Sequence, residues 1–197
     1  MKIPTDRHED TLDHEALFPV DDRLKVRFCS MDFENPFVLA ASPCTDELGM
    51  VSRGFDMGWA AAVLKTTSVE GTKVDLAYPM MSAVDFEGRR VSGLGNIDLI
   101  SQYHVDEVAA RVSTLKKRYP RKIVIASIMG TRREDWQLLT KKLLDSGADM
   151  IECSFSCPQG SMGEDPGKML AQSVPATEKA AAWVKEAAGS RPVSIKI

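Results

Sequence analysis

Short runs of consecutive apolar residues alternate along this chain with longer stretches in which apolar positions recur every three or four residues. The runs are Phe37-Val-Leu-Ala-Ala41, Trp59-Ala-Ala-Ala-Val-Leu64, Lys122-Ile-Val-Ile-Ala-Ser127, residues 149–156 and Pro192-Val-Ser-Ile-Lys-Ile197. A strand buried on both faces reads this way, so five strands are predicted. Between them, Leu48, Val51 and Phe55 mark a helix over 46–57, and Val105, Val108 and Val112 mark one over 98–119. Trp136, Leu139 and Leu143 mark a third over 134–146, and an alanine-rich stretch over 177–188 is the fourth. Gly58 and Gly147 stand where helices stop, and Lys116, Lys117 and Arg118 suit the negative end of a helix dipole. Ahead of the first strand, Leu24-Lys-Val-Arg-Phe-Cys29 and Met31-Asp-Phe-Glu-Asn-Pro36 predict a small hairpin. Residues 1–22 are polar, acidic and without period, the pattern of an N-terminal arm. Residues 68–98 carry Gly71, Pro79, Gly88, Gly93 and Gly95 with little period, and are predicted to be a long irregular excursion of functional use.

Repeated strand-helix units imply an α/β fold with a parallel sheet and right-handed crossovers. Pattern alone leaves an open sheet and a closed barrel equally possible. Polar residues at successive strand ends, namely Lys65, Asn96, Ser127, Cys157 and Lys196, favour a (β/α)8 TIM barrel, which gathers all its strand ends around one pocket. Such a barrel takes eight strands and about 250 residues. The expectation is therefore that residues 23–197 form the N-terminal portion of a barrel whose C-terminal strands are absent.

With 44% hydrophobic and 27% charged residues in 197, the chain is long enough and apolar enough for a substantial core. A net charge of −3, with no stripe of Lys and Arg interleaved with aromatics, excludes an electrostatic footprint for nucleic acid. The N-terminus is too polar for a signal peptide, and no run approaches a membrane span. Four cysteines in an ordinary composition point to a reducing compartment, and a cytoplasmic protein is expected.

Chemistry is concentrated at Ile151-Glu-Cys-Ser-Phe-Ser-Cys157-Pro-Gln-Gly160. The strand there runs into Pro158 and Gly160, which end strand pairing and leave Cys157 at or just past the carboxyl end. A free cysteine is often only a small buried hydrophobe. Against that, the glycine-rich stretch 159–167 has the length and polarity of a lid, and a regular strand puts Cys153 and Cys157 on one face. No second Cys or His cluster stands at ligand spacing, so no metal is expected.

Asn35-Pro-Phe-Val-Leu-Ala40, Leu64-Lys-Thr66, Asn96-Ile-Asp-Leu-Ile-Ser101, Ile123-Val-Ile-Ala-Ser-Ile-Met129, Ser146-Gly-Ala-Asp149 and Ser156-Cys-Pro158 resemble, in order and spacing, the flavin domain of the dihydropyrimidine dehydrogenases and, more distantly, the dihydroorotate dehydrogenases. The resemblance covers about residues 24–197. It implies an FMN-bearing barrel that transfers a hydride between the flavin and C6 of a pyrimidine or dihydropyrimidine, while Cys157 exchanges the proton at C5. It places Lys65 and Thr66 beside the flavin, Ala41 where the ring needs close access, and Lys196 at the flavin N1/O2 edge. Asn96 takes the amide edge of the substrate. Each has a plainer reading: a paired structural charge for Lys65, a loop-capping residue for Asn96, a strand-end charge for Lys196. Ser127 is read as structural.

One position departs from the family. Ser154 stands where the family has a substrate-binding asparagine, and a hydroxyl offers no paired donor and acceptor. The resemblance also implies an oligomer, fed with electrons from NAD(P)H through a partner subunit bearing FAD and iron-sulfur clusters. The arm before Leu24 is a candidate docking segment. Rival readings are a dihydroorotate dehydrogenase, a barrel fragment without activity of its own, and an aldolase using Lys65 or Lys196 as a Schiff base.

Overall fold

The computed structural model describes residues 21–70, 81–85, 91–96, 100–157 and 169–197, with 81–85 and 91–96 described in the backbone only. The predicted arm, apart from Asp21 and Asp22, and the predicted lid over 159–167 lie outside the described residues.

The chain forms β1 (Val26–Phe28), β2 (Met31–Phe33), β3 (Val38–Leu39), α1 (Leu48–Asp56), β4 (Ala61–Thr67), β5 (Met81–Asp85), β6 (Val91–Asn96), α2 (Val105–Arg118), β7 (Ile123–Ile128), α3 (Arg133–Asp145), β8 (Met150–Ser154), α4 (Val174–Ala188) and β9 (Val193–Lys196). β1 and β2 pair as the predicted hairpin, with Cys29 and Ser30 both at positive φ, as a tight two-residue turn requires. β3, β4, β7, β8 and β9 form one parallel sheet in that order, each strand beside its predecessor.

Two observations separate a barrel from an open sheet. The strand order never reverses, whereas a doubly wound sheet has a switch point. In addition, all four long helices pack on one face. Val51, Phe55, Val112, Leu139, Leu143 and Val184 meet Leu64, Ala126, Ile151 and Cys153 in a single cluster. The opposite face holds Ala61, Val63, Ile123, Ile125 and Met150, closed from below by Phe33 of the hairpin. Each apolar run thus feeds two buried layers in alternation, which is why the strands read as continuous hydrophobic stretches. The architecture is part of a (β/α)8 barrel, with helices outside and the second layer within.

The structure revises several predicted boundaries. The first strand is only two residues long, and Phe37 is 57% exposed. Asn35 is responsible, because its carboxamide donates to the Gly58 carbonyl and accepts from the Phe37 N–H, tying the chain into a turn there. α1 begins at Leu48, since residues Pro43–Thr45 form a 3-10 turn capped by Ser42 and Thr45. α2 begins at Val105 with His104 as its cap, accepting from the Asp106 N–H. The excursion over 68–98 is not wholly irregular, since β5 and β6 pair within it as an antiparallel hairpin. β8 stops at Ser154, because the Phe155 carbonyl accepts from Ala171 N–H and leaves the ladder.

The Ser146-Gly-Ala-Asp149 motif acquires a structural meaning. Gly147 takes φ +107°, and Asp149 then accepts from the Val124 N–H and the Lys116 ammonium, both at 2.8 Å. One carboxylate oxygen so joins the start of β8 to β7 and to α2. Replacing Asp149 by Ala is expected to destabilise the fold by about 2–3 kcal/mol, because the Val124 N–H loses its acceptor and the largely buried Lys116 ammonium loses its counter-ion and keeps only the Lys122 carbonyl. A urea-unfolding midpoint checks this, and an unchanged midpoint refutes it.

Candidate active site at the strand carboxyl ends

Parallel strands bring their carboxyl ends to one edge, and there the inner layer changes from apolar to polar. On β7 the inward positions run Ile123, Ile125, Ser127; on β8 they run Met150, Glu152, Ser154. On β9, Ser194 and Lys196 are aligned with Glu152 and Ser154. The apolar residues form a floor, and the polar ones form a shelf above it.

β4 reaches the same shelf by an irregularity. Its register with β7 slips between Leu64 and Thr67, a bulge that re-aims the side chains around it. The Thr66 hydroxyl consequently meets the Ser127 hydroxyl at 2.9 Å, both buried. Ser127, read from sequence as structural, is the partner that holds Thr66 in place. Lys65 belongs to β4 itself, 8% exposed, and not to the loop after it. Its charge acts on Asp46, whose carboxyl is pushed above the usual carboxylate range by burial. The Ser101 hydroxyl, Lys65 and Arg111 oppose that rise.

Ala41 lies just past β3 and packs against the inner apolar layer. Ser154 is 2% exposed, with its hydroxyl 3.5 Å from the Cys157 sulfur. Cys157 is half-buried, three residues past the end of β8. The shared face expected of a regular strand does not extend to Cys157, because β8 ends at Ser154, although Cys157 packs partly against the same outer cluster that holds Cys153. Cys153 faces the helices in the sealed outer core, where burial first and the Glu152 charge second push its thiol up to about 12. It is therefore no candidate for thiolate chemistry near neutrality, and Cys157 is the thiol of this edge.

Lys196 ends β9, beside Ser154, with its ammonium 3.9 Å from the Glu152 carboxylate. Asn96 closes β6, its backbone opposite Met81, and its side chain lies outside the described residues. The predicted residues are thus gathered in part: Ser154, Cys157 and Lys196 at the end of β8 and β9, and Thr66 with Lys65 across the sheet. Glu152 was not singled out by sequence reasoning. Its signal was a carboxylate inside an apolar strand, two positions before Ser154 and hence on the same face.

Chemically, the edge offers a half-buried thiol beside a hydroxyl, a partly exposed cation on the neighbouring strand, and another cation, buried, across an apolar floor. That set can bind a planar polar ring and move a proton at a carbon above Cys157.

No family model matches this chain. It is 36% identical over 148 residues to the NAD-dependent dihydropyrimidine dehydrogenase subunit PreA of Escherichia coli (strain K12), a match that covers 74% of this chain and 36% of that protein. It is 29% identical over 167 residues to the chloroplastic dihydropyrimidine dehydrogenase (NADP(+)) of Arabidopsis thaliana, covering 82% of this chain and 39% of that protein. Similarity to the dihydroorotate dehydrogenase B (NAD(+)) catalytic subunit of Methanothermobacter thermautotrophicus is 25% over 174 residues, 88% of this chain and 53% of that protein. The chain spans little more than a third of the length of the two dihydropyrimidine dehydrogenases. Among the described residues, no helix is long and apolar enough to cross a membrane.

Proposed function

We propose that residues 23–197 supply the first five strands of an FMN-binding barrel that acts on the C5–C6 bond of a pyrimidine or dihydropyrimidine, a reading supported by the similarity to the dihydropyrimidine dehydrogenases. The observation that carries the reading is the contact between Cys157 and Ser154 on the edge that also bears Lys196. A proton donor and a polar neighbour three residues apart on the chain thus stand beside a cation carried by the adjacent strand.

The residues present suit a flavin. Above the floor of Ala61, Val63, Ile125 and Met150, a flat apolar ring system has a seat, and the small side chain of Ala41 keeps its entrance open. The ammonium groups of Lys65 and Lys196 and the Thr66 hydroxyl match the carbonyl-rich end of such a ring. When bound, FMN supplies the hydride transfer that side chains lack.

The chain's own residues then do the following. Lys65 and Thr66 hold the ring from β4, with Thr66 fixed by Ser127. Lys196 faces the N1/O2 edge, where a cation favours negative charge. Asn96 and Ser154 take the amide edges of the substrate. Cys157 gives a proton to C5, or removes one, from the face away from the flavin, so that a two-electron change at C6 is balanced at its neighbour. Electrons come from NAD(P)H through a partner subunit with FAD and iron-sulfur clusters, the assembly is oligomeric, and the arm over 1–22 docks it in the cytoplasm.

The test is a titration of the purified chain with FMN, followed by the visible flavin spectrum and by quenching of flavin fluorescence. Saturable binding with a perturbed spectrum is expected, followed by bleaching of the bound flavin when a dihydropyrimidine is added. Bleaching by dihydroorotate and not by dihydropyrimidines turns the assignment to the dihydroorotate dehydrogenases. Saturable binding without bleaching by either substrate overturns the proposed activity. No saturable binding leaves a barrel fragment and overturns the flavin site.

A further inference from the structure

Glu152 has no place in the chemistry above, yet its position is unusual for a carboxylate. It lies in the middle of β8, between the fully buried Ile151 and Cys153, with its side chain only 15% exposed. Across the sheet its aligned neighbours are Ser127 on β7 and Ser194 on β9, whose hydroxyls bond Thr66 and the Ile151 carbonyl and not the carboxylate. Its Oε1 is buried and takes no hydrogen bond among the described residues. Such an atom is costly unless charge compensates it. The cation that reaches it is Lys196, at 3.9 Å, two residues further along the neighbouring strand than the direct partner Ser194.

We infer that Glu152 is the positioning residue of Lys196, setting where its ammonium sits and offsetting part of its charge. Lys196 is 40% exposed on a flexible stem, and a lysine without a nearby anion swings its ammonium toward water. A carboxylate anchored inside a strand two residues before Ser154 holds the ammonium over the shelf, beside the hydroxyl that touches Cys157. The inference rests on the flavin reading for its functional meaning. With Lys196 at the N1/O2 edge, a partly neutralised cation stabilises a reduced anionic ring less than a free one. Glu152 then tunes the cofactor toward easier oxidation.

Two measurements decide it. In the flavin-free chain, trace acetylation of lysines followed by peptide mass spectrometry compares Lys196 with the exposed Lys117 of α2. In Glu152→Gln, which keeps the side-chain shape, the ratio is expected to rise about three-fold, the scale of one partly exposed ion pair. Glu152→Asp, which keeps the charge, should restore most of the difference. An unchanged ratio in Glu152→Gln overturns the pairing. In the FMN-loaded chain, Glu152→Gln should raise the flavin midpoint potential, and the increment should vanish in a Lys196→Met background. An increment that survives the loss of Lys196 overturns the role. If FMN does not bind, the flavin reading falls and the labelling ratio still decides whether Glu152 holds Lys196.

Discussion

Replacing Cys157 by alanine in the flavin-loaded protein is expected to slow interconversion at the C5–C6 bond by about 100- to 10,000-fold, the range a positioned acid/base contributes. Flavin affinity should change little, since the thiol stands past the strand end and not on the shelf proposed to seat the ring. The effect is large because no other described group can take over. Cys153, four residues earlier, faces the sealed outer core with its thiol held protonated. The Ser154 hydroxyl is a far weaker acid than a thiol. Rapid-mixing kinetics of flavin bleaching separate the two quantities, binding from amplitude and spectrum, chemistry from rate. Turnover of the alanine variant within about two-fold of the parent would remove Cys157 from the reaction and the proposed mechanism with it.

The second large effect concerns Phe155, the residue between Ser154 and Ser156. Its ring is fully buried on the helix side, edge-on to Trp136 with centroids 5.7 Å apart. Its amide donates to the Lys196 carbonyl and its carbonyl accepts from Ala171, so this one residue ties the end of β8 to β9 and to the segment leading into α4. Phe155→Ala leaves a cavity in a core that has little freedom to collapse, and is expected to cost about 3–5 kcal/mol in a denaturant titration. Because Cys157 follows two residues later, the same variant should also blur the geometry of the thiol. A loss under about 1 kcal/mol would mean that the outer layer is less tightly packed than the structure shows.

Much of the architecture was readable before any coordinates. Alternating buried runs and helical stripes placed the five parallel strands and four long helices of the described residues, since the two-sided burial of each strand writes itself into composition. What escaped had non-local causes. The shortness of β3 depends on Asn35 reaching Gly58, 23 residues away. The end of β8 depends on Ala171 taking the Phe155 carbonyl, so the regular strand on which a shared face for Cys153 and Cys157 was conditional stops short of 157. The hairpin of β5 and β6 was hidden because Met-Ser-Ala-Val-Asp and Val-Ser-Gly-Leu-Gly-Asn hold a single β-branched residue each, too few to signal extended structure. At the site, Lys65, Ser154, Cys157 and Lys196 were legible as polar residues at strand ends. The bond between Thr66 and Ser127 was not, because a bulge changes which side chains face inward and leaves no mark in the residue pattern. Glu152 was overlooked for a simpler reason: a lone acid in an apolar run looks like an interruption until its face is known.

The unbroken succession of neighbours in the sheet has a consequence for how the molecule is made. A ribosome delivers β3 before β4, β4 before β7, and so on to β9, and each new strand finds the template it needs already exposed at the growing edge. No late arrival must wedge itself between two earlier ones, so the sheet can lengthen outward while its helices close over one side.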